Sequence, residues 1–295
     1  MWQVRVPATS ANLGSGLDTL ALAVSLFLTI KFEARVQWSM EITGHGAGTV
    51  EANHENLVWR SADLLYRHVE GRPMPNGHLV IDSEIPLGKG LGSSAAASVA
   101  GLVLANQLVG QALTLRELLQ FADRLEGHAD NAAAALYGGF VMVWRDHGNS
   151  LQVRRYPAPP LDAILAVPPY PVSTPQARQL LPNMVPRHDA VFNAQRVGLW
   201  IHAVTQNDWT VLRDASEDRL HQTYRAPLNP DMDALIHQAI ASGAYAAVLS
   251  GSGPTVLALS DTSHVAPVTH TWQGSHHIEV IHTTLCNQGA AVSHH

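Results

Sequence analysis

Between residues 86 and 97 the chain reads Pro86-Leu87-Gly88-Lys89-Gly90-Leu91-Gly92-Ser93-Ser94-Ala95-Ala96-Ala97. Glycines at alternate positions allow the backbone to turn with positive φ and to approach a ligand without hindrance from a Cβ atom. The serines and alanines then begin an apolar helical segment, and the free N–H groups at a helix N-terminus attract anions. We predict a phosphate-binding loop that leads into a helix, with ATP as the expected ligand. The candidate nucleotide-binding residues are Pro86, Leu87, Gly88, Lys89, Gly90, Leu91, Gly92, Ser93, Ser94, Ala95 and Ala96.

The loop does not follow the two most familiar nucleotide-binding patterns. It lacks the Gly-x4-Gly-Lys-Ser/Thr pattern of P-loop proteins and the Gly-x-Gly-x-x-Gly pattern of dinucleotide-binding folds. From the glycine spacing alone, a structural turn capped by serine is a second interpretation.

The composition is that of a globular protein, since 46% of the 295 residues are hydrophobic and 14% are charged. The net charge of −6, without a block of lysine or arginine, argues against nucleic acid or an anionic membrane as the main partner. The single cysteine, Cys286, excludes an intrachain disulfide and favours a cytoplasmic location. The longest apolar run, residues 20–30, is about half of the ~20 residues that cross a bilayer, and it predicts a buried strand.

Strand and helix patterns alternate irregularly, which predicts an α+β fold with a soft domain boundary near residue 150. The clearest predicted strands are residues 20–35, 77–83 and 163–167, and the clearest predicted helices are residues 56–70, 93–109 and 114–125. Several of the seventeen histidines lie near the C-terminus, and we expect them to belong to a mobile or exposed tail and not to bind a metal. These are His276, His277, His282, His294 and His295.

Three separated segments resemble the signature motifs of the GHMP small-molecule kinases, a superfamily that includes galactokinases, mevalonate kinases and homoserine kinases. The first, residues 6–20, reads Val-Pro-Ala-Thr-Ser-Ala-Asn-Leu-Gly-Ser-Gly-Leu-Asp-Thr-Leu. The second is the loop at residues 86–97. The third, residues 249–256, reads Leu-Ser-Gly-Ser-Gly-Pro-Thr-Val. The three occur in the family's order, so the resemblance covers most of the chain.

Other segments resemble the homoserine kinase branch in particular. They are Glu-Gly-His-Ala-Asp-Asn at residues 126–131, Leu-Tyr-Gly-Gly at residues 136–139, and the polar segments at residues 173–182 and 221–225. Ser15, Leu17 and Ala129 replace the usual Pro, Phe and Pro of that branch, and these changes leave the polar positions untouched.

The resemblance implies a two-domain GHMP kinase fold. The N-terminal, ATP-binding domain over residues 1–150 would be similar to ribosomal protein S5 domain 2, with a left-handed βαβ unit, and residues 151–295 would be ferredoxin-like. The resemblance also implies phosphorylation of the side-chain hydroxyl of L-homoserine by ATP and Mg²⁺. Its partners would therefore be small molecules, and it is compatible with a homodimer.

Positions that match the homoserine kinase pattern imply a site for a zwitterion. Asp18 suits an ammonium group, and Asn12 would hydrogen-bond to polar atoms nearby. Arg178 and Arg225 would each offer a bidentate fork to a carboxylate. Without the resemblance, Arg178 is typical of a solvated helix residue. The further residues that the resemblance implies for this pocket are His128, Thr174 and Gly253.

Phosphoryl transfer depends mainly on positioning and charge neutralisation. We expect the N–H groups of the loop, Lys89 and Mg²⁺ to share the charge of the triphosphate. A hard cation prefers oxygen ligands, so Ser94 and Glu126 are the metal candidates. The alternative for Glu126 is an exposed carboxylate at the C-terminus of a helix.

A general base is harder to identify. Asn131 matches the position at which mevalonate kinases carry an aspartate. The neighbouring Asp130 is able to accept a proton, but it is equally suited to cap the helix that it begins. We therefore expect the hydroxyl proton to pass directly to the γ-phosphate, with the protein positioning both substrates. The catalytic candidates are Asn131, Asp130, Arg178 and Thr174.

Two other functions fit parts of the pattern. One is a GHMP kinase for another small alcohol such as mevalonate, and the other is a nucleotide-binding regulatory homologue that has lost catalysis. The two arginines, Arg178 and Arg225, favour a zwitterionic substrate over mevalonate. The intact loop and Ser94 argue against a loss of catalysis.

Overall fold

The computed structural model describes residues 1–275 and 277–294, so His276 and His295 lie outside the described residues. The strands are β1 (Trp2–Ala11), β2 (Leu20–Ala34), β3 (Ser39–Gly44), β4 (Gly77–Ser83), β5 (Phe140–Arg145), β6 (Leu151–Tyr156), β7 (Asp162–Val167), β8 (Ala246–Leu249), β9 (Val256–Ser260), β10 (Glu279–Thr284) and β11 (Ala291–His294). The helices are α1 (Leu57–Glu70), α2 (Ser93–Leu108), α3 (Leu115–Glu126), α4 (Asp130–Tyr137), α5 (Thr174–Gln179), α6 (Arg187–Gln206), α7 (Leu212–Ala215), α8 (Gln222–Arg225), α9 (Met232–Ala241) and α10 (Thr262–Gln273), with short 3₁₀ helices at Trp209–Val211 and Ala226–Leu228.

The larger sheet combines strands from both ends of the chain. Its main path is β11-β1-β2-β4-β3, and β5 extends it from β2 and carries β6. Strands β3 and β4 are parallel and are joined by α1, which forms the expected βαβ unit; its left-handedness stays a prediction. The sequence boundary near residue 150 falls within the β5–β6 hairpin, and β11 returns to this sheet. A cut at residue 150 would therefore divide one sheet. The predicted boundary falls there because local composition does not show which strands pair as a hairpin.

The smaller sheet has the order β10-β7-β9-β8, and all its pairings are antiparallel. Helical segments follow β7, and α10 follows β9, which gives the β-α-β-β-α-β order of a ferredoxin-like unit. Helices α9 and α10 cover the sheet with a separate apolar cluster that includes Leu235, Val268 and Trp272. The predicted ferredoxin-like unit is thus present, but it spans β7 to β10 and not the whole predicted range of residues 151–295, since β6 and β11 belong to the larger sheet.

Helix α2, which follows the glycine-rich loop, lies in the centre of the larger domain. It packs against α1, α3, α4 and β1. Its sequence is rich in Ala, Leu and Val, and eleven of its sixteen residues are buried. A helix that is apolar on most of its faces belongs inside a core. The start of α2, and with it the loop, is therefore held by a rigid element.

The start of α1 is marked by a local sequence signal. The Asn56 side chain accepts the Val58 N–H at 3.0 Å and begins α1, as the sequence predicts. The expectation that the C-terminal histidines belong to a mobile or exposed tail is wrong for two of them. His282 lies in β10, and His294 lies in β11 with its ring against Trp2. In the described part of the chain, no helix combines the length and apolarity needed to span a membrane.

Gly90 marks the closest approach of the loop to the C-terminal half. Its φ is +74°, and a Cβ atom there would collide with the carbonyl oxygen of Ser250. Gly48 has almost the same φ, +72°, but a Cβ would meet open space. We expect Gly90→Ala to lower the free energy of unfolding by about 3 kcal/mol, and Gly48→Ala by only about 1 kcal/mol from backbone strain. Urea unfolding measures both changes, and equal losses would contradict the close approach.

Candidate active site

A cavity of about 730 Å³ lies where the loop, the start of α2 and the C-terminal half meet. At one end, its walls include the loop and helix residues Gly88, Gly90, Gly92, Ser93, Ser94 and Ala95. The walls also include the predicted polar residues Asn12, Asp18, Glu126, His128, Asp130, Asn131, Thr174, Arg178 and Arg225. Residues that are far apart in sequence are thus brought to one site.

The loop enters α2 with the geometry of an anion site. Gly92 is the N-cap with φ 69°, and no side chain caps the helix. The alternative of a serine-capped turn is therefore wrong. Ser93, Ser94 and Ala95 at the start of α2 line the cavity, and the free N–H groups and dipole of a helix start favour an anion there. Some of the predicted nucleotide-binding residues do not line the cavity. Leu91 and Ala96 are buried in the core, Pro86 is also buried, and Leu87 is partly buried. These residues therefore support the loop from behind.

Lys89 does not match its predicted role. Its ammonium donates hydrogen bonds of 2.8 Å to the carbonyl oxygens of Pro168 and Tyr170. Partial burial also lowers the pKa of Lys89. The Val172 N–H donates to the Gly88 carbonyl at 3.0 Å and joins the same two segments. The side chain therefore ties the loop to the segment before α5, because two convergent carbonyls satisfy the ammonium there.

This arrangement separates a tethering role for Lys89 from a role in phosphate binding. We expect Lys89→Met to lower the free energy of unfolding by about 1–2 kcal/mol, because charged hydrogen bonds to two carbonyls are lost. The KM for ATP should stay within about threefold of the wild-type value, since a side chain that only tethers the loop does not contribute to nucleotide binding. Urea unfolding and steady-state kinetics check the two parts. A KM for ATP raised by about thirtyfold or more would restore the sequence prediction.

Glu126, the last residue of α3, reaches the start of α2. The Ser94 hydroxyl lies 2.9 Å from each of its carboxylate oxygens, and the Ser98 hydroxyl donates at 2.6 Å. Glu126 is therefore not a free surface carboxylate. A hydroxyl beside a carboxylate, next to a phosphate loop, is the donor set that a hard divalent cation accepts. The residues present thus fit Mg²⁺.

Asp18 and Arg178 form a bidentate ion pair across the cavity. The two guanidinium–carboxylate distances are 2.6 and 3.1 Å, and the side chains are 44% and 35% exposed. Burial tends to raise the pKa of Asp18, but the hydrogen bonds and charge of Arg178 outweigh burial and hold that pKa below its ordinary value. Asp18 therefore stays ionised, and Arg178 is not the solvated helix residue of the alternative interpretation.

Arg225 is buried at the wall of the cavity, with 2% of its surface exposed. Its Nη1 donates to the Gly251 carbonyl at 3.0 Å, whereas its Nε has no partner in the described chain. Burial, and then the charge of Arg178, lower the pKa of Arg225. Both guanidinium groups line the same cavity, and their like charges disfavour each other unless an anion lies between them. The site is thus suited to a carboxylate.

His128, Asp130 and Asn131 form a connected group beside the loop. Asp130 Oδ1 lies 3.2 Å from His128 Nδ1 and accepts the Asn131 N–H at 2.7 Å. The hydrogen bond to Asp130 raises the pKa of His128, against the effect of burial. Helix α4 begins at Asp130 with Ala129 at the cap position, so the prediction of Asp130 as the N-cap is wrong. Asn131 Oδ1 accepts the Thr9 hydroxyl at 2.7 Å.

The third motif reaches the cavity through Gly251 and Ser252, which line it. The predicted residue, Gly253, packs instead against the Asn229 side chain, where a Cβ would collide. The Ser252 and Thr174 hydroxyls lie 3.3 Å apart. Asn12 donates to the Gly251 carbonyl at 3.0 Å. No chemical motif marks the further wall residues Leu57, Arg60, Leu125 and Val172, so the sequence did not predict them as site residues.

Comparisons with known proteins agree with this geometry. Residues 56–139 match the family model of the GHMP kinase N-terminal domain, and residues 200–276 match that of the GHMP kinase C-terminal domain. A homoserine kinase of Moorella thermoacetica is 44% identical over 256 residues, which are 86% of each chain. A homoserine kinase of Desulfitobacterium hafniense is 39% identical over 259 residues, which are 88% of this chain and 87% of the relative. The crystal structure of homoserine kinase from Cytophaga hutchinsonii superposes with a TM-score of 0.85 at 32% identity, over 99% of this chain and 96% of that one.

Together, the two sheets, the phosphate loop and both family matches define a GHMP-type small-molecule kinase. More distant solved structures, such as L. major mevalonate kinase at 14% identity and a TM-score of 0.69, share the fold alone. At the level of identity found with its curated relatives, the chain belongs to the homoserine kinase family.

Proposed function

We propose that the protein transfers the γ-phosphate of ATP to the side-chain hydroxyl of L-homoserine and forms O-phospho-L-homoserine, an intermediate of threonine synthesis. One observation carries the proposal: a carboxylate, Asp18, and two arginines, Arg178 and Arg225, share a cavity with the phosphate loop. An amino acid with its hydroxyl on the side chain has the matching charges and a nucleophile. The names of the relatives support the same substrate.

The nucleotide end of the cavity supports ATP binding through backbone groups. The N–H groups at the start of α2 would hold the phosphates, because the narrow Gly92-Ser93-Ser94-Ala95 turn leaves room beside the backbone. When bound between Ser94 and Glu126, Mg²⁺ would neutralise charge on the transferred phosphoryl group. Ser98 would orient Glu126 from behind, since its hydroxyl donates to the same carboxylate at 2.6 Å.

The amino-acid end would hold the zwitterion between opposite charges. The substrate ammonium would take one oxygen of Asp18, and the carboxylate would lie between Arg178 and Arg225. The hydrogen bonds between Asp18 and Arg178 would then weaken, because each side chain would pair with the opposite charge of the substrate instead. The site would then form charge-assisted hydrogen bonds at both ends of the zwitterion, including those of Arg225, in exchange for the one pair that weakens, and this gain in number would favour binding.

The substrate hydroxyl would lie near Thr174, Asp130 and Asn131. Asp130 already accepts hydrogen bonds from the Asn131 N–H and faces His128. We therefore propose that the hydroxyl proton passes directly to the γ-phosphate, while these residues position the hydroxyl for attack. A cytoplasmic location, and assembly as a homodimer, stay predictions.

The test is ADP release with L-homoserine, L-threonine, mevalonate and galactose, each at matched concentration with MgATP. We expect clear turnover with L-homoserine only. Turnover of mevalonate without turnover of homoserine would establish the other GHMP kinase function. Nucleotide binding without turnover of any alcohol would indicate the non-catalytic homologue.

A further inference from the structure

The loop of residues 12–18 carries Asn12 and Asp18. Three side chains from elsewhere in the chain hold it by hydrogen bonds to three consecutive backbone carbonyls of the loop. Trp200 Nε1 donates to the Leu13 carbonyl at 3.0 Å, and Asn193 Nδ2 donates to the Ser15 carbonyl at 3.0 Å. Between them, His221 Nε2 lies 2.7 Å from the Gly14 carbonyl. All three side chains come from the C-terminal half of the chain and belong to buried residues.

This loop needs such support, because its backbone is unusual. Asn12, Leu13 and Asp18 have φ values of 72°, 49° and 53°. Non-glycine residues in this left-handed region persist only where the surroundings fix them. The three carbonyl contacts therefore support the loop that carries the Asp18 carboxylate, together with the hydrogen bond from the Asp18 N–H to Asn12 Oδ1.

His221 differs from the other two side chains, because its second ring nitrogen also has a partner. Arg225 Nη1 lies 3.2 Å from His221 Nδ1. A guanidinium group has donors and no acceptor, so Nδ1 must accept and the ring proton must reside on Nε2. That proton then points to the Gly14 carbonyl. One neutral ring thus joins the loop that carries Asp18 to the arginine proposed for the carboxylate.

The surroundings keep the ring in this state. The side chains of His221 and Asp218 are both 0% exposed, and burial lowers the pKa of His221. Asp218 Oδ2 accepts the N–H groups of His221 and Gln222 at 2.9 and 2.7 Å and so fixes the backbone that carries the ring. The imidazole therefore lies in a fixed orientation.

We propose that His221 is a positioning residue that sets the separation between Asp18 and the Arg225 guanidinium, and so fits the site to the spacing of ammonium and carboxylate in an α-amino acid. This inference rests on the proposed function and adds to it a residue that does not touch the substrate. Its ring acts through Arg225 on one side and through the Gly14 carbonyl on the other.

Two isosteric substitutions separate the two contacts. In His221→Asn, the amide oxygen stands where Nδ1 was and still accepts from Arg225. In His221→Gln, the amide nitrogen stands where Nε2 was and still donates to Gly14, but the acceptor for Arg225 is lost. Removal of a hydrogen bond to a charged group predicts that His221→Gln raises the KM for L-homoserine about tenfold to a hundredfold. The rise for His221→Asn should be at least about fivefold smaller, and the KM for ATP should change by less than about threefold in both.

The control is His237→Gln, because His237 is exposed on α9 and, among the described residues, its ring bonds to the Asp233 carbonyl of the same helix. Urea unfolding of each variant separates a folding defect from a defect in binding. A KM for homoserine in His221→Gln equal to that of the wild type would overturn the inference. A parallel rise in the KM for ATP would also overturn it.

A wild-type enzyme that fails to phosphorylate homoserine would instead overturn the proposed function. The ¹⁵N NMR signals of the His221 ring give a readout that needs neither turnover nor a variant that folds. We expect a protonated Nε2 and an unprotonated Nδ1. A protonated Nδ1 would contradict the contact with Arg225 and, with it, the inference.

Discussion

Replacing Arg225 with methionine is expected to raise the KM for L-homoserine by more than about a hundredfold, because two charge-assisted hydrogen bonds to a carboxylate are together worth about 3 kcal/mol. The KM for ATP should stay within about threefold, since the proposed site assigns Arg225 to the substrate carboxylate and not to the nucleotide. Arg225→Lys keeps the charge but loses the planar fork, and we expect an intermediate value. Steady-state kinetics with each substrate varied in turn measure both constants.

The matched control is Arg116→Met, which removes an exposed arginine from α3. Because methionine leaves the Gly251 carbonyl and His221 Nδ1 without their donor, unfolding is measured for each variant. A rise in the KM for ATP as large as that for homoserine would place Arg225 at the nucleotide and not at the substrate carboxylate.

Glu126→Gln is expected to lower kcat by about a hundredfold or more, because it removes a negative ligand from the proposed metal site at the transferred phosphoryl group. The concentration of Mg²⁺ needed for half-maximal activity should rise, whereas the KM for homoserine should change little. The Mg²⁺ dependence of kcat is the measurement that separates metal binding from other roles.

Ser98→Ala is the control for Glu126. Its hydroxyl contacts the same carboxylate from a fully buried position, so it supports the carboxylate without reaching the cavity. We expect a loss in kcat of about tenfold, as for other residues that orient a metal ligand. If Glu126→Gln and Ser98→Ala have the same small effect, Glu126 only joins α3 to α2 and does not hold a metal ion.

The sequence was most informative where a short motif carries the geometry. Alternating glycines before Ser93 predict both the turn and the start of α2, since backbone freedom and helix capping are local properties. Asn56 marks the start of α1 for the same reason. The resemblance then brought Asp18 together with Arg178 and Arg225, although both arginines lie more than a hundred residues from Asp18 along the chain.

Other features depend on partners that a local pattern does not show. The ammonium of Lys89 has two carbonyl acceptors that are about eighty residues away, so its position next to glycines suggested phosphate binding instead. Strands β10 and β11 are short and exposed, and they exist because β7 and β1 pair with them. His221 stands in the 221–225 segment, but that pattern does not show its two contacts, which form only when the C-terminal half packs on the 12–18 loop.

The central claim is the transfer of phosphate to a side-chain hydroxyl of an amino acid held as a zwitterion. The most direct measurement is ³¹P NMR of a reaction that contains the protein, MgATP and L-homoserine. We predict a new phosphate monoester whose phosphorus couples to the γ-methylene protons of homoserine, formed in step with ADP. Formation of ADP and inorganic phosphate alone, or of a phosphorylated product without this coupling, would contradict the account.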